Sequence, residues 1–319
     1  MRNLKDRLVA IVGPTGAGKS RLALHLAQTF DGEIVSADSR QIYRHMDIGT
    51  AKPSPKELSL VPHHLINIVN PDESFSLAQY LELAYRAIDD VRQRNKLALL
   101  VGGSGLYVWS VLEGWRIPPV PPDPEFRRSL EQEAAKDGPD ELYRRLVTVD
   151  PLAGQRIDPR NIRRVIRALE VHRSAQTSSS QLQHKQPPPI KTLIIGLMAD
   201  RAELYRRVDS RVERMIEQGL VEEVKKLLDM GYDLKLPPMS GIGYKQIGLF
   251  LKGELTLPTA IERIKYETHR FVRHQYNWFR LKDDRIRWFN LQNQPDLEIT
   301  KLVAKFIRGE TSEVICSQG

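Results

Sequence analysis

The chain has 319 residues, 41% of them apolar and 28% charged, enough to bury one large domain with an insertion or two domains. No apolar run approaches the roughly 18 residues of a membrane span, no signal-peptide core follows Met1–Lys5, and the single cysteine, Cys316, argues against a disulfide framework or a cysteine-based zinc site. The expectation is a cytoplasmic protein, not membrane-bound and acting as a monomer, whose net charge of +8 favours a polyanionic partner.

The first element is an apolar run, Leu8 to Val12, that meets Gly13, Pro14, Thr15, Gly16, Ala17, Gly18, Lys19 and Ser20, spelling G-x-x-x-x-G-K-S. Leu22, Ala23, Leu26, Ala27 and Phe30 then recur at helical spacing, so strand, glycine loop and helix follow one another as a phosphate-binding loop requires. Its glycines let backbone N–H groups turn inward, the helix N-terminus adds positive potential, Lys19 supplies a mobile charge and Ser20 a hydroxyl for Mg²⁺. A di- or triphosphate fits such a loop, but the loop does not specify which compound or which bond breaks.

Gly32 to Ala37 reads as a second strand ending at Asp38. The carboxyl ends of strands in an open α/β sheet line the ligand crevice, so Asp38 is placed beside the loop as a base, a magnesium partner or a helix cap. Residues 46–74 read as loop, with His63 and His64 structural, and Ser76 with Gln79 forms a capping box for an amphipathic helix to Arg94. Leu97 to Val101 is a third buried strand, followed by Gly102, Gly103, Ser104 and Gly105. Many ATPases place a magnesium-holding aspartate there, so a hydrolytic motor is disfavoured. The glycines are expected to let another molecule approach the backbone, with Ser104 hydrogen-bonding to it.

Ile117 to Pro124 is a stiff boundary, and Asp123 and Asp158, each before proline, read as helix N-caps, so 123–174 is predicted to be mostly helical. Arg160, Arg163, Arg164 and Arg167 are predicted to share one helical face opposite Ile162, Val165, Ile166 and Leu169, a face for solvent or for a phosphate backbone. The low-complexity stretch 174–189 closes this insertion, and a strand resumes at Thr192 to Leu197. A helix from Arg201 to Gln218 follows, flanked by Arg207, Arg211 and Arg214, which could reach phosphates across the crevice. Next come a helix through Leu228, a glycine-rich loop from Pro237 to Lys245, and a long helix, 258–282, whose mixed basic and aromatic residues suit RNA although several aromatics must be core. Trp288 and a last helix, 297–307, are expected to pack, and the tail after Gly309 to be disordered.

Taken together, GPTGAGKS, SADSRQIYRHMDIGTAKP, VPHHLINIVNPDESFS, VGGSGLY, DPRNIRRVIRALEVHR and GIGYKQI resemble, in order, the bacterial transfer-RNA dimethylallyltransferase family. The resemblance implies prenylation of the N6 of an adenine beside the anticodon of a tRNA stem-loop, with dimethylallyl diphosphate and Mg²⁺ in the phosphate loop. It implies that Gly13 to Ser20 bind the diphosphate, that Asp38 is the general base, that Ser104 (commonly threonine in the family) orients the acceptor, and that Arg207 contacts the diphosphate. It also implies that Asp38, Ser39, Arg40, Gln41, Ser104, Arg127, Asn161, Ile162, Arg163, Arg164, Val165, Ser240, Gly241, Ile242, Gly243, Tyr244 and Lys245 contact the RNA. With Cys316 as the lone cysteine, no counterpart of the eukaryotic relatives' zinc-finger extension is expected.

The resulting expectation is an α/β protein: a P-loop core with a parallel sheet, residues 1–116 and 190–319, and a helical insertion, 117–189, that contacts RNA. Two other readings share the loop. A small-molecule kinase leaves the arginines of the insertion unexplained, and a nucleotide-switched RNA-binding protein leaves Asp38 unexplained.

Overall fold

The computed structural model describes residues 4, 6–118, 120, 122–175, 185–293 and 295–310. The chain divides into two compact units, Met1–Leu112 with Pro189–Gly319, and Glu113–Pro188. The first unit is built on a six-stranded sheet in the order β3-β2-β4-β1-β5-β6. Its strands are β1 (Arg7–Val12), β2 (Gly32–Ser36), β3 (His63–His64), β4 (Leu97–Val101), β5 (Lys191–Met198) and β6 (Ile286–Asn290), and every pairing is parallel. The central strands are buried along nearly their whole length, which is why they read as unbroken apolar runs rather than alternating ones.

Helices cover the sheet. In α1 (Lys19–Phe30) the buried residues are Leu22, Ala23, Leu26, Ala27 and Phe30, the set that its period predicts. The capping box of Ser76 and Gln79 opens α3 (Leu77–Gln93). A short α2 (Pro55–Leu60) lies in the stretch read as loop, started by a second capping box, Ser54 with Glu57. After β4 comes α4 (Gly105–Leu112), and after β5 come α9 (Arg201–Glu217), α10 (Leu220–Asp229), α11 (Tyr244–Leu251), α12 (Leu257–Trp278) and α13 (Asp296–Arg308). Of the aromatic residues of this long helix and its C-cap, Phe279 is fully buried, whereas Tyr266 and Phe271 are exposed. A second apolar cluster packs Ile42, Tyr43 and Met46, from the segment after β2, on Leu220, Val224, Ile247 and Ile264, and so ties that segment to the late helices.

The second unit holds α5 (Pro124–Asp137), α6 (Pro139–Val149), α7 (Pro151–Arg156) and α8 (Ile162–Ala175) around its own core of Leu130, Leu142, Leu146, Val165 and Leu169. Asp123 caps α5 as expected, its Oδ1 accepting the Phe126 N–H at 2.9 Å. Asp158 does not cap a helix: it takes the backbone N–H and guanidinium of Arg160, and α8 starts only at Ile162. Arg160 therefore lies in the turn before the helix, off the face it was expected to share. The expected tail after Gly309 lies, beyond Glu310, outside the described residues.

Candidate active site

The phosphate loop is set by backbone geometry that only its glycines tolerate. Gly13 has φ 136°, and a Cβ there would sit 2.4 Å from the Leu197 carbonyl oxygen on the neighbouring strand. The loop then runs across the carboxyl end of the sheet to Gly18, the left-handed residue (φ 72°) that starts α1. A buried glutamine from α12 fixes its far side: Thr15 N–H donates to Gln275 Oε1 at 2.8 Å, and Gln275 Nε2 donates to the Gly103 carbonyl at 3.0 Å. Gln275 thus ties the loop to the end of β4, a role that no spacing in the sequence announces.

Lys19 folds back to donate to the Pro14 carbonyl at 2.8 Å. Burial pulls its ammonium down to a pKa of about 8, repulsion from Arg211 adds to this, and attraction to Asp38 opposes it. Lys19, Asp38 and Arg211 all line one cavity of about 590 Å³, together with the exposed Ser20. Arg211 is likewise lowered, by burial and by Arg214, with Asp38 pulling back. Arg207, the expected diphosphate ligand, is turned elsewhere. Its Nε donates to Glu203 at 2.6 Å, and it is not among the residues that line the cavity. One helical turn further along, Arg211 does line it.

Asp38 follows β2 as predicted and serves its own turn: Oδ1 accepts the Arg40 N–H at 2.8 Å, leaving Oδ2 with no hydrogen bond among the described residues. Ser104 braces this turn, its Oγ accepting the Ser39 N–H at 3.1 Å and donating to Ser39 Oγ at 3.3 Å. The two glycines before it both line the cavity, and their other side is packed by the chain itself. A Cβ at Gly102 would lie 2.1 Å from the Ala37 oxygen, and one at Gly103 would lie 2.3 Å from Gln275 Nε2.

The other expected RNA contacts of this unit divide by exposure. Arg40 is exposed, with Nη1 on the Pro237 carbonyl, and Ser240 and Lys245 are exposed as well. Gly241, Ile242 and Gly243 line the cavity. Gln41 is spent inside its own segment, accepting from Ser36 Oγ and donating to the carbonyls of Thr50 and Ala51. Tyr244 is 2% exposed, and its hydroxyl donates to Glu223 at 2.6 Å. Burial and that carboxylate push the phenol's pKa up, so its polar atom is not offered to a ligand.

In the insertion several residues expected to contact RNA have partners within their own unit. Arg127 makes a bidentate pair with Glu170, at 2.8 and 2.7 Å, and Arg167 joins the same carboxylate. Burial pushes Glu170 up, but Arg127, the Asp123 N–H and Arg167 together hold it below its ordinary value. Val165 is 1% exposed and Ile162 packs on the same core, because both lie on the apolar face of α8. Asn161 accepts the Arg164 N–H with its side chain at the start of the helix. Arg163 and Arg164 remain exposed with no ion pair among the described residues, so the expected ladder of four arginines reduces to these two.

Residues 41–282 match the family model described as IPP transferase. The tRNA dimethylallyltransferase of Dehalococcoides mccartyi is 51% identical over 300 residues, 94% of this chain and 92% of that protein. Among solved structures, the tRNA isopentenylpyrophosphate transferase of Bacillus halodurans is similar at 38% identity and a TM-score of 0.71, covering 96% of this chain and 98% of that one. A eukaryotic dimethylallyltransferase acting on tRNA is similar at 26% identity and a TM-score of 0.81, over 98% and 81%.

Proposed function

The chain belongs to the IPP transferase family, the tRNA dimethylallyltransferases, and from that premise we propose that it moves a dimethylallyl group from dimethylallyl diphosphate to the N6 amine of an adenine next to the anticodon of a tRNA, releasing diphosphate. The observation that carries this reading is the meeting of Lys19, Arg211 and Asp38 in a single cavity. Two cations face the place where leaving-group charge grows, and one carboxylate faces the place where a proton must leave. Val208, Val212 and Met215 from α9, with Ile264 and Phe271 from α12, add an apolar wall suited to the allyl chain. A kinase or a nucleotide-switched binding protein would use the loop but has no need of that wall.

As the N6 nitrogen bonds to the first carbon of the allyl group, the carbon–oxygen bond to the diphosphate breaks and the N6 proton passes to Asp38. The amine is a poor nucleophile because its lone pair is delocalised into the ring, so a positioned carboxylate matters. Lys19, Arg211 and the N–H groups of the loop stabilise the departing diphosphate, where charge develops in the transition state. Ser104 acts through the turn that it braces, and Ser39, Arg40 and Lys245 offer polar groups to the RNA.

The donor set also fits Mg²⁺ carried on the diphosphate. Ser20 presents a free-facing hydroxyl at the start of α1, and no group of three or more His, Cys, Asp or Glu among the described residues forms an all-protein site. Mg²⁺ is commonly held by substrate phosphates with few protein ligands, and when bound it would neutralise phosphate charge. Incubating an anticodon stem-loop with the protein, Mg²⁺ and dimethylallyl diphosphate, followed by mass analysis, tests the proposal. Gain of one dimethylallyl group on an adenine is expected, and an unmodified stem-loop would overturn it.

A further inference from the structure

Two separate stretches of the first unit line the cavity: the segment after β2, which begins with Asp38, and residues Gly241 to Tyr244, where the loop from Pro237 enters α11. Glu223, in the first turn of α10, fastens them to each other. Its Oε2 accepts the N–H groups of Asp47 and Ile48 at 2.9 and 2.7 Å, and its Oε1 accepts the Gly49 N–H at 3.0 Å and the Tyr244 hydroxyl at 2.6 Å. Successive backbone N–H groups turned toward one carboxylate form an anion nest, and bonds to a charged acceptor are about twice as strong as neutral ones.

The surrounding packing fits that role. At Gly49 a Cβ would lie 2.6 Å from the Tyr244 ring, so only glycine lets the turn sit on the phenol. Lys52, its side chain 4% exposed, closes the other side of the turn by donating to Asp47 Oδ1 at 2.8 Å, to Asn67 Oδ1 at 2.6 Å and to the Tyr43 carbonyl. A second tie runs from Arg40 Nη1 to the carbonyl of Pro237, three residues before Ser240, at 3.0 Å. Gly49, Thr50 and Ala51 line the cavity from one stretch and Gly241 to Tyr244 from the other, but Glu223 itself does not.

We propose that Glu223 is a positioning residue for the acceptor nucleotide: it locks the 47–49 turn to the 241–244 loop, so that the acceptor side of the cavity is formed before RNA arrives. The inference rests on reading the cavity as a prenyl-transfer site. Its physical content is preorganisation, because loops already ordered do not draw on binding energy to become so.

The test begins with the wild-type protein, which must prenylate the stem-loop; failure at that step removes the reading of the cavity rather than the lock. Glu223→Gln keeps the shape but sets an amide N–H against the donors. It should lower kcat/KM for the stem-loop roughly ten- to a hundredfold, with most of the loss in KM, while the dissociation constant of dimethylallyl diphosphate stays within about twofold of wild type. Hydrogen exchange at the amides of Asp47, Ile48 and Gly49 should be slow in the wild type and faster in Glu223→Gln. Wild-type exchange at these amides as fast as in open loops would overturn the proposal, as would a variant that keeps full RNA kcat/KM or loses donor affinity in parallel. Should Glu223→Gln fail to fold, Tyr244→Phe, which removes one of the four bonds, must still raise the KM for the stem-loop.

Discussion

Two regions of the chain are rich in cations and use them in opposite ways. In the P-loop unit, Lys19 and Arg211 line a cavity, form no ion pair among the described residues, and have their pKa values lowered by burial. In the helical unit, Arg127 and Arg167 share the buried Glu170, and Arg160 pairs with Asp158. Cations left unpaired at the cost of burial have a ligand to meet, whereas cations paired with acids of their own unit already have a partner. This difference, rather than the number of arginines, separates a site from a scaffold.

The largest effect, and the sharpest break of the comparison, should come from removing Asp38, the acid that faces Lys19 and Arg211 in the cavity. Asp38→Ala should lower single-turnover prenylation by roughly two to four orders of magnitude, the usual contribution of a general base, with stem-loop affinity nearly unchanged. Loss of less than about threefold would leave Asp38 as the turn-former that its bond to Arg40 already makes it.

A pair of variants one helical turn apart sharpens it further. Arg211→Ala should cost about a hundred- to a thousandfold in turnover, as loss of a donor to developing charge does. Arg207→Ala should cost little, because that guanidinium already serves Glu203. Turnover of the two variants measured at saturating donor and RNA decides the matter, and a reversed order would mean that Arg207 swings away from Glu203 when the diphosphate binds.

How far the sequence carried the reading shows in the same pair. The phosphate loop, the strands around it and Asp38 were legible because backbone geometry demands glycine at fixed places and buried parallel strands demand unbroken apolar runs. Arg207 and Arg211 lie four residues apart on one helix, and only the neighbour Glu203 tells them apart. At Val165 family likeness points to RNA and periodicity to the core, and its side chain lies in the core of the helical unit. Edge strands β3 and β6 escaped notice because one has only two residues and the other is half-exposed along most of its length. Gln275 and Glu223 escaped because each acts through backbone groups far away in sequence, and such pairing leaves no local pattern.

The lowered pKa of Lys19 offers a gentler probe of the unpaired region. The diphosphate binds the ammonium form, which in the free protein is lost as pH rises through about 8. Donor affinity should therefore fall above that pH, by up to about tenfold per unit until the higher pKa of the complex is reached. Lys19→Arg, which does not titrate in this range, should bind with a flat profile. Titration calorimetry between neutral and mildly alkaline pH would show both, and a flat wild-type profile would mean that the ammonium keeps its proton in the empty cavity.

The smallest effect tests whether the helical unit keeps any cations for a ligand. Arg163 and Arg164 are exposed at the start of α8 and lack ion pairs among the described residues, so no acid competes with phosphates for them. Removing each should flatten the plot of log affinity against log salt by roughly 0.7 to 0.9, with a similar loss for every stem-loop sequence. Arg127→Ala should leave that slope unchanged and instead destabilise the helices by about 1 kcal/mol, since a half-exposed partner of Glu170 is lost. A salt titration of stem-loop binding, set beside thermal unfolding of the same variants, separates the two roles. If Arg127→Ala flattens the slope as much as Arg163→Ala does, the Glu170 pair opens to receive RNA, and pairing with an acid no longer marks a cation as scaffold.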